Sequence, residues 1–115
     1  MEPIQDFSWM QQLLTGKVVE RFDYDSFEAV SIEIPNIERR HSPYHYRILF
    51  FPTEVESRDK RKPVLSLNLE SSILGSYCLT EHNGRDHINL GSIDDAMGYE
   101  EFRNWALRKA KQDLH

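Results

Sequence analysis

The alternation of hydrophobic and polar residues along this chain predicts six β-strands, four of them single segments and two joined in a final hairpin. The segments are Lys17–Tyr24, Phe27–Ile34, Tyr44–Phe51, Val64–Glu70 and the hairpin Tyr77–Leu90. Most segments alternate with the period of two that is typical of a strand with one buried face. The segment Tyr44–Phe51 is apolar on both faces near its end, which predicts a central strand or one covered on both sides.

Two further segments show helical spacing, one before and one after the predicted strands. Phe7, Met10 and Leu14 predict a short helix over Asp6–Leu14, with Asp6 as its N-cap and Gly16 just beyond its end. A second helix begins near Tyr99, with acidic residues before and within its first turn and basic residues near its end, which complements the helix dipole. Its apolar arc comprises Tyr99, Phe102, Ala106, Leu107, Ala110 and Leu114, with Trp105 at the flank.

The pattern also assigns residues to faces of the sheet. In the second strand, the β-branched residues Val30, Ile32 and Ile34 are predicted to point inward, and Ala29, Ser31 and Glu33 outward. In the last hairpin, Asn83-Gly84 indicates a two-residue type I′ turn. That turn would place Leu79 opposite Ile88 and Tyr77 opposite Leu90. The opposite face of the hairpin would then carry Cys78, Thr80, His87 and Asn89.

These elements predict a single α+β domain over residues 1–115. It would have a short N-terminal helix, a six-stranded antiparallel, meander-like sheet and a C-terminal amphipathic helix packed on one sheet face. A content of 39% hydrophobic and 29% charged residues is typical of a soluble globular protein. The segment Met1–Asp6 lacks the basic start and apolar core of a signal peptide, and the single cysteine, Cys78, excludes an internal disulfide. We therefore expect a cytoplasmic protein without a cofactor.

Charge is unevenly distributed along the chain. The net charge of −5 resides in the first 36 residues, which hold seven acidic and two basic side chains. The first predicted hairpin carries Glu20, Asp23, Asp25 and Glu28. An acidic surface disfavours nucleic acid and suits a basic protein partner, although solubility alone also explains it.

A basic-aromatic stretch is the second feature that suggests binding. Residues Arg39–Arg47 interleave basic side chains with Tyr44, His45 and Tyr46. Such interleaving can hold single-stranded nucleic acid. A second basic run, Arg58–Lys62, would lie at the opposite end of a meander, so no continuous basic stripe would form. The alternative is an ordinary loop that leads into a strand with packed tyrosines.

The final hairpin contains residues that could form two kinds of reactive site, a metal site or a nucleophile with its base. Cys78, His82 and His87 point to one side, but a tetrahedral zinc site needs a fourth ligand and the chain has no CxxC or HxxxH spacing. Cys78 could act as a nucleophile with His87 as its base, yet no group that would stabilise a thiolate lies near it in sequence. Neither a metal site nor a catalytic residue is predicted.

Three functional hypotheses follow. The first is a non-enzymatic protein-binding module of the adaptor, chaperone or inhibitor type. The alternative is a small-ligand-binding protein or enzyme with a cleft between the sheet and the C-terminal helix. The third is a homo-oligomer that pairs through a sheet edge or the polar sheet face. The candidate binding residues are Glu20, Asp23, Asp25, Glu28, Tyr44, His45, Tyr46 and His87.

Overall fold

A six-stranded antiparallel sheet and one helix make up the described part of the protein. The structure is a computed structural model that describes residues 16–34, 44–53, 63–71, 77–83, 86–93 and 97–114. The strands are β1 (Lys17–Tyr24), β2 (Phe27–Glu33), β3 (Tyr44–Pro52), β4 (Leu65–Ser71), β5 (Tyr77–His82) and β6 (His87–Ile93), and the helix is α1 (Tyr99–Asp113). The predicted helix Asp6–Leu14 lies outside the described residues.

The strands are ordered β1-β2-β3-β4-β5-β6, and each pairs with the next in antiparallel fashion. This order confirms the predicted meander and the predicted C-terminal helix. Successive connections therefore alternate between the two ends of the sheet. The helix in the described residues is not long and apolar enough to cross a membrane.

Helix α1 packs over the middle of the sheet and forms the larger core. Phe102, Ala106 and Ala110 face the sheet at the predicted spacing and are fully buried. They pack against fully buried or nearly fully buried side chains of β2 to β5: Ala29, Ile48, Phe50, Leu65, Leu67, Leu69 and Leu79. We call this face of the sheet the helix face. Burial of this apolar surface is what holds the helix in place.

The opposite face of the sheet has a second buried cluster, formed by Val30, Ile32, Ile34, Leu49 and Phe51. We call it the second face. Strand β3 contributes to both clusters, as its two-sided apolar pattern predicts. The outward assignment of Ala29 and Ser31 is wrong, because both side chains are fully buried on the helix face. Strand β2 is therefore buried on both sides, which a pattern of alternating β-branched and small residues does not reveal.

The final hairpin corrects the predicted register by two residues. His82 pairs with His87, Glu81 with Ile88 and Thr80 with Asn89. Asn83 flanks the turn: its N–H donates to the carbonyl of Asp86, and its Oδ1 accepts the N–H of Asp86 at 2.9 Å. As far as Thr80 the shift is even, so Thr80, His87 and Asn89 keep their predicted common face. Beyond the bulge at Leu90 the shift is three residues: Leu79 pairs with Gly91 in place of Ile88, and Tyr77 pairs with Ile93 in place of Leu90.

Three bulges interrupt the strand pairing. Val19 in β1, His45 in β3 and Leu90 in β6 are the extra residues at these positions. Gly91, beside the bulge in β6, has a φ of 143°, which favours glycine. The bulges lie on both edge strands and at the start of central strand β3.

Candidate binding surfaces

The end of the β1–β2 hairpin carries three carboxylates. Asp23 of β1 lies directly opposite Glu28 of β2, and Asp25 occupies the turn with a φ of 54°. Asp23 and Asp25 are exposed, and Glu28 is half-buried. Like charges directly opposite each other on a sheet destabilise it. Arg21, two residues before Asp23 on the same face, offsets one of the three charges. We call Asp23, Asp25 and Glu28 the acidic end.

Glu20, the fourth acidic residue of the predicted set, is separated from the acidic end. It turns toward α1, where the Tyr99 hydroxyl donates a hydrogen bond to its carboxylate and the Arg103 Nε donates another at 2.8 Å. Burial, followed by the hydrogen bond to Glu20, raises the pKa of Tyr99 to about 12. Glu20 thus links β1 to the helix and is engaged within the fold.

The aromatic residues of the basic-aromatic stretch do not form one surface. Tyr46 stacks on Phe102 in the helix-side core, with ring centroids 5.8 Å apart. His45 is the bulged residue, and its ring contacts Tyr77 edge-on at 5.4 Å. Tyr44 lies on the second face. The remaining basic residues of the stretch lie outside the described residues, as does the run Arg58–Lys62.

A hydrogen-bonded network crosses the second face from β4 to β6. Ser66 Oγ donates to Asn68 Oδ1 at 2.9 Å, and Asn68 Nδ2 donates to Thr80 Oγ1 at 3.3 Å. Thr80 Oγ1 donates to the Glu70 carboxylate, which also lies 2.9 Å from His87 Nε2. Ser66, Asn68 and Thr80 are buried, whereas His87 is exposed. The sequence placed Thr80 and His87 on one face, but it did not show that Thr80 is buried there.

The reactive groups of this face are not arranged for nucleophilic catalysis. Burial raises the pKa of the Cys78 thiol, and the nearby Glu70 carboxylate raises it further. His87 pairs with Glu70 in place of Cys78. His82 lies beside His87 with ring centroids 6.2 Å apart, yet the described residues contain no group of three side chains that could hold a metal ion. The thiol is therefore held in its protonated, unreactive form.

Arg47 is a residue of the second face whose environment the sequence did not indicate. It is 6% exposed, and its Nε is buried without a hydrogen-bond partner. Its guanidinium lies over the Tyr44 ring at 4.0 Å from the centroid. Its position between Tyr46 and Ile48, at the start of the apolar part of the strand, was the sequence feature that could have indicated burial. Its other neighbours in the basic-aromatic stretch suggested an exposed basic surface instead.

In the described residues, side chains fill the middle of the interface between the sheet and α1. The side chains of Phe102, Ala106 and Ala110 close the described interface, and Trp105 stacks on Phe102 at 5.8 Å. The Tyr24 ring meets Phe50 edge-on at 5.7 Å on the same side. Phe50 and Phe102 are part of the buried core, and Tyr24 and Trp105 pack against it.

Comparison with known proteins found no similar protein. No protein-family model, curated protein or solved structure matches this chain.

Proposed function

We propose that this protein is a non-enzymatic protein-binding module whose acidic end binds a basic segment of a partner protein. The observation that carries the proposal is the pair Asp23 and Glu28, which lie directly opposite each other with Asp25 in the adjoining turn. Two carboxylates opposite each other on a sheet repel each other. A basic side chain of a partner would make favourable contacts with both.

The site is accessible and stands at one end of the sheet, where the β1–β2 turn and the end of β3 meet. Thr53, just after β3, anchors this turn, because its side chain and its N–H both donate to the Ser26 carbonyl. A fixed turn presents the three carboxylates in a defined arrangement. Complementary charge at such a surface mainly accelerates association and sets specificity, so binding should weaken as salt is added.

The first test is affinity capture from a native lysate at low and high salt, with the captured partner then purified. The double variant Asp23→Asn/Glu28→Gln should weaken the measured affinity for the partner about two- to thirtyfold, because two charge pairs with the partner are lost. It should also flatten the dependence of affinity on salt. Urea denaturation of the same variant checks that it is folded under the binding conditions, so that unfolding cannot explain the lost binding.

The matched control is Glu100→Gln/Glu101→Gln, which removes the same charge from two exposed positions at the start of α1. This variant should bind like the wild type. Equal affinity of both double variants for the purified partner would refute the acidic end as the binding surface. Capture of no protein at low salt would count against the binding-module function itself.

A further inference from the structure

Arg47 is a buried arginine whose Nε–H has no acceptor among the described residues. A guanidinium carries five N–H donors and a permanent positive charge. Here the residue is 6% exposed and its Nε has no hydrogen-bond partner. A buried N–H donor without an acceptor destabilises the folded state, so native proteins rarely leave one unpaired. The arrangement indicates that an acceptor from outside the described residues completes the site.

The nearest carboxylate on the same face is already engaged. Glu70 lies opposite Tyr44 and accepts hydrogen bonds from Thr80 and His87. It forms no ion pair with Arg47 in the described structure, although its charge is close enough to influence that guanidinium. The Tyr44 ring supplies one face of cation–π contact, which offers no acceptor for the N–H groups. The Nε–H of Arg47 therefore remains available to another acceptor.

The surroundings of Arg47 favour an anion. On β2 it faces the buried Ile32, and on β4 it faces the buried Asn68. Two histidines, His82 and His87, stand on the same face across the sheet. Burial lowers the pKa of His82, with further contributions of the same sign from His87 and Arg47. The Glu70 carboxylate lies on this face too, where Thr80 and His87 hold it.

We propose that Arg47, stacked on Tyr44, binds an oxyanion: a phosphate or the carboxylate of a small molecule. The guanidinium matches the planar, two-oxygen geometry of both groups. The small exposed fraction of Arg47 favours a small anion over a macromolecular partner. Asn68, although adjacent, is hydrogen-bonded within the network of the second face, so Arg47 supplies the recognition.

This site is separate from the acidic end. On β3, Arg47 is four residues from Phe51, the residue opposite Glu28. At a strand rise of ~3.3 Å per residue, the separation is about 13 Å. Each proposal can therefore fail without the other.

The test uses the full chain and the NMR signal of the Arg47 side-chain Nε–H. Phosphate, acetate and chloride are added to about 10 mM at equal ionic strength. We expect phosphate or acetate, but not chloride, to shift this signal in a saturable manner and to raise the melting temperature. For a dissociation constant of about 1 mM, the rise would be about 5 °C. A response to one anion alone identifies which oxyanion the site takes.

Variants separate this site from general salt effects. Arg47→Met should remove the response to the anion and should remain folded, because it deletes an unpaired buried charge. Arg108→Met removes an exposed arginine of α1 and should respond like the wild type. The proposal is overturned if the Arg47 signal is the same in all three salts. It is overturned equally if Arg47→Met retains the anion-dependent rise in melting temperature.

Discussion

Glu81 is a carboxyl group buried between the sheet and the last turn of α1. It is 8% exposed, and its Oε1 has no hydrogen-bond partner. Burial, followed by a hydrogen bond to Asp113 and the charge of that residue, raises the pKa of Glu81 to about 7, while Lys109 acts in the opposite direction. Its strand neighbours, Leu67 and Ile88, carry no charge. At neutral pH two carboxyl groups therefore share this contact, and one of them is half protonated.

The raised pKa of Glu81 predicts that the protein loses stability as the pH rises from about 4.5 to about 7. In this range the folded state binds one more proton than the unfolded state, so the free energy of unfolding falls with pH. The contribution is complete below pH 4.5 and is lost above pH 7, with a magnitude on the order of 3 kcal/mol. Urea denaturation at a series of pH values measures it.

The matched variant for this prediction is Glu81→Gln, which keeps the shape of the side chain and removes the titration. It should abolish most of the slope between pH 4.5 and pH 7 and should be more stable than the wild type at pH 8. Asp113→Asn should reduce the slope in part, because Asp113 is only one cause of the shift. An unchanged slope in Glu81→Gln would assign the pH dependence to other carboxyl groups.

At the scale of elements, the period of the sequence predicts faces better than it predicts register. Alternation predicted that Thr80, His87 and Asn89 share a side, and the structure keeps them together. Register depends on which residues form the turn, so a turn placed one residue along the chain changes the pairing by two residues. The bulges at Val19, His45 and Leu90 were equally hidden, since an extra residue in a strand leaves little trace in a pattern of period two.

The turn of the last hairpin explains why its register differs from the prediction. Asn-Gly is the preferred pair for the centre of a type I′ turn, but here the Asn83 side chain accepts the N–H of Asp86, three residues on. That contact requires Asn83 to flank the turn. Asn83→Ala should therefore destabilise the protein by about 0.5–1.5 kcal/mol, the value of one hydrogen bond.

Chemical denaturation measures the effect of this change, and Asn83→Asp is its control because an aspartate retains the acceptor oxygen. We expect Asn83→Asp to stay close to the wild type. Equal destabilisation by both substitutions would show that the amide N–H groups, and not Oδ1, matter at this position.

For the whole molecule, the sheet predicted from the sequence was correct in order and number of strands, whereas the candidate sites were only partly predicted. The acidic residues were found by composition, but packing against α1 separates Glu20 from the other three. Arg47 and Glu81 were missed because burial of a charge depends on contacts between distant segments. No local pattern reports those contacts.

In the described part of the chain, the open sheet has β1 and β6 as its edge strands, and both carry features that oppose the addition of another strand. On β1, a bulge at Val19 interrupts the regular strand backbone. On β6, Asn89 Oδ1 accepts the N–H of Gly91 at 2.9 Å, so this backbone donor is already satisfied. Bulges and satisfied donors are common means of preventing edge-to-edge association.

We therefore expect the protein to remain a monomer of 13.6 kDa at about 100 μM in light scattering after size-exclusion chromatography. Asn89→Val would release the Gly91 N–H and add an apolar, β-favouring side chain to the edge, so it should promote dimers or larger species. Asn104→Val makes the same exchange at an exposed position on α1 and should stay monomeric. A wild-type dimer would contradict the protection of the edges and would favour the homo-oligomer, because pairing through β6 would then outweigh the cost of straightening its bulge.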